Sequence, residues 1–110
     1  PSRGLGDVYK RQMLYADNIS YIIKTESNIL AFVEDGTSYL LTMTMAELEQ
    51  DLDPDKFFRI NRQYIANIKS IVKIRLFFNS KLIVKLKGCD DNDIMISKEK
   101  AAQFRKWLDR

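Results

Sequence analysis

Apolar and polar residues alternate along most of this chain with the period of a strand rather than of a helix. Asn18 to Thr25, built around Ile19-Ser20-Tyr21-Ile22-Ile23-Lys24, is rich in β-branched and aromatic residues and reads as a strand. Glu26-Ser27-Asn28 is a polar turn, and Ile29 to Val33 is a second strand. The Asp35-Gly36 pair supports a tight hairpin into a third strand, Thr37 to Thr42, so the chain opens as an antiparallel meander. The period then changes. Thr44-Met45-Ala46-Glu47 has the form of a capping box, in which the threonine accepts an orphan N–H and the glutamate reaches back to the cap. The helix it starts runs to about Asp51, with Met45, Leu48 and Leu52 spaced for core packing, and Asp53-Pro54 stops it.

An extended pattern resumes at Phe57-Phe58-Arg59-Ile60. In one uninterrupted strand Phe58, Ile60, Arg62, Tyr64 and Ala66 would share a face, which sets an unpaired charge among apolar neighbours at high cost. The chain is therefore expected to bend or bulge near Asn61-Arg62-Gln63 and turn those side chains outward. Such a conflict between pattern and charge is typical of a functional site. Ile68 to Ile71 suits a turn of 3-10 helix. Val72, Ile74 and Leu76 then point one way and Lys73 and Arg75 the other; Asn79-Ser80 suits a turn; and Leu82, Val84 and Leu86 alternate with Lys81, Ile83, Lys85 and Lys87. Gly88 to Asn92 is a loop and Asp93 to Ser97 a last strand. Ser97 caps a closing helix, Lys98 to about Asp109, whose Ala101, Phe104 and Leu108 form a stripe widened by Ala102 and Trp107. Six or more strands with one mid-chain and one C-terminal helix make the domain mainly β.

At 110 residues the chain is one domain with an ordinary soluble balance, 45% hydrophobic and 30% charged. No apolar run is long enough to cross a membrane as a helix. Residues 1–12, PSRGLGDVYKRQ, share neither period and read as a non-native or linker tail, leaving 13–110 as the folded unit. The chain has no histidine, which removes Ser-His-Asp and Cys-His nucleophile pairs and most catalytic zinc sites. Its one cysteine, Cys89, cannot form an internal disulfide and fits a reducing cytoplasm. Asp90, Asp91 and Asp93 lack the glycine and closing glutamate of an EF-hand, and no phosphate-cradling glycine loop exists. No enzyme chemistry, cofactor or small-molecule substrate is indicated.

Net charge is only +3, but its distribution is uneven. Lys56, Arg59, Arg62, Lys69, Lys73, Arg75, Lys81, Lys85 and Lys87 fall in a stretch from Lys56 to Cys89 that contains no acid. Lys73 and Arg75 lie on the same kind of strand face as Lys81, Lys85 and Lys87. Like charges facing across strands cost roughly 0.2–1 kcal/mol per pair. A domain that accepts several with no acidic relief is suited to a polyanion. The alternative is that lysines guard a sheet edge against aggregation, which explains Lys81 and Lys85 but not Arg59, Arg62 and Arg75. Zinc-finger spacing, a basic zipper, paired helices of a helix-turn-helix and the aromatic strands of an RRM are all missing, which leaves a β-type reader.

The run Phe57-Phe58-Arg59-Ile60-Asn61-Arg62-Gln63-Tyr64-Ile65-Ala66-Asn67 closely resembles the LytTR DNA-binding domain, whose hallmark is Phe-x-Arg-x-His-Arg-Ser-Tyr-x-Val-Asn followed by an Ile-rich basic strand. Phe57, Arg59, Arg62, Tyr64 and Asn67 match, and the likeness extends from about Asn18 to Leu108. It implies small antiparallel sheets with short flanking helices, and the role of output domain in a bacterial transcriptional regulator, a response regulator of a two-component system. It implies contacts to double-stranded DNA in successive major grooves from three places: the turn at Ser27-Asn28, the Asn61-Arg62 position and Ser97-Lys98. It also implies direct-repeat operators, with a homodimer formed on DNA, and a receiver or sensor domain upstream. Asn61 stands where the family has His; an asparagine can contact adenine in bidentate fashion. Lys98 replaces Arg and keeps a point charge without the planar fork. Gln63 for Ser is the milder change. Arg62 is then expected to read guanine or clamp a phosphate, with Arg59 beside it in the motif and Lys73, Arg75 and Lys85 mainly neutralising phosphates. The rival is a protein-interaction or anionic-lipid-binding module with a basic face.

Overall fold

The computed structural model describes residues 14–109, so the expected tail at 1–12 lies outside the described residues. Among those described, eight strands form two antiparallel sheets, accompanied by two α-helices. The first sheet contains β1 (Ile19–Lys24), β2 (Ile29–Val33), β3 (Ser38–Leu41), β4 (Phe57–Arg59) and β5 (Tyr64–Asn67), in spatial order β3-β2-β1-β5-β4. The second contains β6 (Ile71–Phe77), β7 (Lys81–Leu86) and β8 (Ile94–Ile96), with β7 in the middle. Helix α1 (Met45–Asp51) links β3 to β4, and α2 (Lys98–Leu108) closes the chain. No helix among the described residues is long and apolar enough to cross a membrane. The mainly β reading, the meander and both helices are as the pattern predicts.

The first sheet is covered on both faces, which explains why β1 and β5 read as nearly continuous apolar runs. Ile19, Ile22 and Ile65 pack with Met45, Leu48 and Leu52 of the α1 segment on one side. Tyr21, Tyr64 and Ala66 pack on the other side, with Leu82, Val84 and Leu86 of β7, Ile94 and Ile96 of β8, and Ala101, Phe104 and Trp107 of α2. Strict alternation would put Ile19 with Tyr21. A register shift between these two residues resets the phase, so Ile19 and Ile22 share a face. Buried Asn67 fixes the far end of this pair, its amide donating to the Ile19 carbonyl at 2.9 Å.

The expected capping box is formed: Glu47 N–H donates to Thr44 Oγ1 at 3.1 Å, and Thr44 N–H to Glu47 Oε1 at 2.9 Å. The stripe on α2 differs from expectation. Ala101, Phe104 and Trp107 are its buried line, Leu108 is partly covered and Ala102 is exposed. The indole decides this, because Trp107 donates to the Pro54 carbonyl at 2.7 Å and draws the helix toward the α1–β4 connection. Edge strand β6 separates apolar from charged side chains as expected, yet its apolar side stays open: Val72, Ile74, Leu76 and the following Phe78 are 55, 40, 75 and 68% exposed.

The turn between β6 and β7 places Asn79 at φ 64° and Ser80 at φ 63°, both left-handed. Positive φ at both central residues of the turn from Phe78 to Lys81 is the sign pattern that favours Asn-Gly. Replacing Ser80 by glycine removes the left-handed penalty at that site, so Ser80→Gly is expected to stabilise the fold by about 1 kcal/mol and raise Tm by several degrees. Calorimetry checks this, and an unchanged or lower Tm would show that the serine carries no strain there.

Candidate nucleic-acid interface

The conflict at Arg62 is resolved by a hairpin. β4 and β5 pair Phe57 with Asn67, Phe58 with Ala66 and Arg59 with Ile65, and the Ile60 N–H donates to the Tyr64 carbonyl at 2.9 Å. Asn61-Arg62-Gln63 is the tip that remains. The Asn61 side-chain oxygen accepts from the Gln63 and Tyr64 N–H groups at 2.9 and 3.0 Å, an Asx-type turn. Its amide nitrogen donates to the Met95 carbonyl of β8 at 3.0 Å. Arg59 lies partly buried beneath the tip. Its Nε donates to the Asn61 carbonyl and its Nη2 to the Arg62 carbonyl, both at 3.2 Å, while Nη1 pairs with Glu49 of α1 at 3.4 Å. Arg62 is exposed, and its guanidinium enters no hydrogen bond or ion pair among the described residues.

Two of the three expected clusters meet here. An open cleft of about 680 Å³ is lined by Arg59, Asn61, Arg62, Lys81, Ser97 and Lys100, among others. Ser97 caps α2 by accepting from Lys100 N–H at 3.2 Å, and Lys98 is the exposed first residue of that helix. The remaining cluster, Ser27-Asn28, lies in an exposed turn where Thr25 Oγ1 exchanges hydrogen bonds with Asn28. It does not line the cleft. It is nevertheless at the same end of the sheet, because Lys24 N–H donates to the Gln63 carbonyl at 2.8 Å. Lys81 and Lys100 escaped the sequence reading as cleft residues. Lys100 follows Ser97 by one helical turn, a spacing that could have flagged it, and its ammonium sits 5.2 Å over the Phe58 ring.

The charged face of the second sheet is less uniform than the acid-free stretch suggested. Lys73 does lie directly opposite Lys85. Acids from elsewhere in the chain relieve other cations, however: Asp93 lies 3.8 Å from Arg75, Glu34 3.7 Å from Lys87 and Asp17 3.0 Å from Lys56. Lys85 turns into the 88–92 loop, donating to the Cys89 carbonyl and to Asn92 Oδ1, the latter at 2.8 Å. The ammonium groups of Lys73 and Lys98, like the Arg62 guanidinium, enter no hydrogen bond or ion pair among the described residues. The expected site residues thus divide into those held inside the fold (Arg59, Asn61, Lys85), those in weak surface pairs or caps (Arg75, Ser97, Ser27, Asn28) and those with free charge.

Beneath the loop, Tyr64 OH donates to Asp91 Oδ2 at 3.2 Å and lies 4.0 Å from the Cys89 sulfur. Burial, reinforced by Cys89, pushes the phenols of Tyr64 and Tyr21 well above their ordinary range, so both stay neutral. These are core groups, held protonated in an apolar setting.

The family model for the LytTr DNA-binding domain matches residues 9–109. The chain is 30% identical over 95 residues to the sensory transduction protein LytT of Bacillus subtilis, covering 79% of this chain and 39% of that protein. It is 27% identical over 108 residues to the protein of the same name from Enterococcus faecalis, covering 98% and 42%. The chain therefore spans about two-fifths of the length of these curated relatives. A solved LytTr DNA-binding domain from Bacillus cereus has the same fold, with a TM-score of 0.71 at 22% identity over 86% of this chain and 84% of that one.

The placement of Lys85 generates a test of its own. Lys85→Met keeps the stem and removes the two donated hydrogen bonds, so it is expected to cost about 1–2 kcal/mol. Urea denaturation should then show a lowered midpoint at unchanged slope. Unaltered stability would mean that the ammonium is free for another role.

Proposed function

The chain belongs to the LytTr DNA-binding domain family, and on that footing we propose that it binds a specific duplex DNA sequence as the output domain of a transcriptional regulator. The observation that carries this reading is the free guanidinium of Arg62, presented at the tip of a hairpin on a cleft that Arg59, Lys81 and Lys100 line together with Glu49. A guanidinium with no partner inside the protein is available to guanine O6 and N7, or to a phosphate. Lys73 and Lys98 serve as phosphate contacts, with Arg75 joining them because its pairing with Asp93 is solvent-exposed and weak. Lys81 and Lys100 extend the same strip around the cleft. Ser27-Asn28 and Ser97 supply polar contacts to the flanking grooves and backbone.

In this reading the domain has no catalytic role, works in the cytoplasm and occupies direct-repeat sites as pairs of copies. A receiver or sensor domain precedes it in the full regulator, consistent with the extra length of the LytT proteins. The exposed apolar row on β6 favours a second reading, in which this edge contacts another protein. The two readings are compatible, since that row is on the face opposite Lys73 and Arg75.

Salt titration of duplex binding, followed by fluorescence anisotropy, tests the proposal. Affinity is expected to fall linearly on a log–log plot, with a slope near −0.9 per phosphate neutralised. Arg62→Ala should cost about 1–3 kcal/mol and relax the preference at one base pair. Uniform weakening on every sequence would make Arg62 a phosphate contact, and no duplex binding at low salt would overturn the reading.

A further inference from the structure

Two amide side chains occupy the tip of the β4–β5 hairpin, and they are placed in opposite ways. Asn61 has both ends engaged: its oxygen accepts from two backbone N–H groups, and its nitrogen donates across to β8. A bidentate contact to adenine needs the same oxygen and nitrogen together. Both lone pairs of its oxygen are already taken, so Asn61 could accept from adenine only by giving up a bond that holds the turn. Gln63 holds the chain through its backbone alone, its N–H to Asn61 and its carbonyl to Lys24. Its side chain is exposed and enters no hydrogen bond among the described residues. It stands next to the equally free Arg62.

Arg59 completes the arrangement. It chelates the carbonyls of both Asn61 and Arg62 from beneath, with its own charge offset by Glu49. Those carbonyls are the negative ends of the tip's peptide dipoles. Left outward, they would repel a polyanion; held inward on a guanidinium, they leave the outer surface of the tip to donors.

We propose that Gln63 and Arg62 are the base-reading pair of this hairpin, while Arg59 and Asn61 are positioning residues that do not touch DNA. Gln63 supplies the amide for adenine, and Arg62 the fork for an adjacent guanine. The assignment rests on the DNA-binding reading above and adds to it which side chains read.

The test uses a duplex that the 110-residue chain itself enriches from a random-sequence pool, together with every single base-pair variant of that duplex. Gln63→Ala should flatten discrimination at one A·T pair by about fivefold or more while leaving the other positions unchanged. Asn61→Ser, which leaves a shorter, weaker acceptor for the turn and removes the donor to the Met95 carbonyl, should weaken all variants by a similar factor and preserve their ranking. Arg59→Lys keeps the charge and loses the chelating geometry, so it should lower affinity with an unchanged salt slope. Amide exchange at Gln63 and Tyr64 should quicken in the Asn61 variant and stay unchanged in the Gln63 variant. The assignment is overturned if Gln63→Ala leaves every preference intact, if Asn61→Ser erases preference at a single base pair, or if Arg59→Lys binds as the parent does. Loss of any effect from Arg62→Ala would instead remove the hairpin from the DNA interface altogether, a failure of the underlying reading that is distinct from these.

Discussion

β1 and β5 are neighbours at the middle of a sheet covered on both faces, and their pairing constrains the whole domain. Tyr21 lies opposite Ala66, Ile22 opposite Ile65 and Ile23 opposite Tyr64. Each step along this ladder sends a side chain alternately into the α1-side core or the core shared with the second sheet. A slip of one residue would exchange the two sets and unpack both cores at once. The register also brings two chain reversals to the same end of the sheet, the turn after β1 and the tip between β4 and β5. Because antiparallel partners must turn back where their pairing ends, apolar packing in the middle dictates where the polar tips emerge.

The tip that emerges is then held from two further directions. Arg59 connects it to Glu49 of α1, and Asn61 connects it to the Met95 carbonyl of β8. Each link joins the hairpin to an element from a different part of the chain. An isolated hairpin of this length would be marginal in water. Here the tip inherits the rigidity of both sheets, which would favour the proposed recognition role because ordering a loop on binding subtracts from affinity. The Arg59–Glu49 pair contributes little as a surface ion pair in general. Its worth here is geometric, since a guanidinium that spans two carbonyls and a carboxylate has few other orientations open to it.

Much of this was legible in the residues. Strand alternation, the Thr44–Glu47 capping box and the Asp35-Gly36 turn depend on neighbours a few positions away, and they read correctly because the physics is local. The need for a bend at Asn61-Arg62-Gln63 was also visible, because burying an arginine among Phe58, Ile60 and Tyr64 would be costly. What the residues did not disclose is which polar groups would be used up inside the fold. Asn61 and Lys85 look outward in any local pattern, yet Met95, Cys89 and Asn92 claim them. For Asn61 the partner is a backbone carbonyl, which carries no side-chain signature in the sequence. The acid-free run hid which of its cations are paired, because Asp17, Glu34, Glu49 and Asp93 lie outside it in sequence and beside its cations in space.

Charge that survives this internal pairing is the quantity that bears on binding. Nine basic residues between Lys56 and Cys89 suggested a broad field, but Lys56, Arg59, Arg75 and Lys87 each face an acid, and Lys85 faces loop acceptors. The unpaired remainder includes Arg62 and Lys73, joined by Lys98 from outside the run. A smaller set of free cations on a fixed frame implies a modest sequence-independent attraction, because each neutralised phosphate adds its own counterion release. In the function proposed above, discrimination would then come from directional contacts rather than from bulk charge. The hairpin tip fits that requirement better than the lysine-rich strands do. Its outward groups are a planar guanidinium and a free amide, the two side-chain types whose donors and acceptors match base edges in pairs.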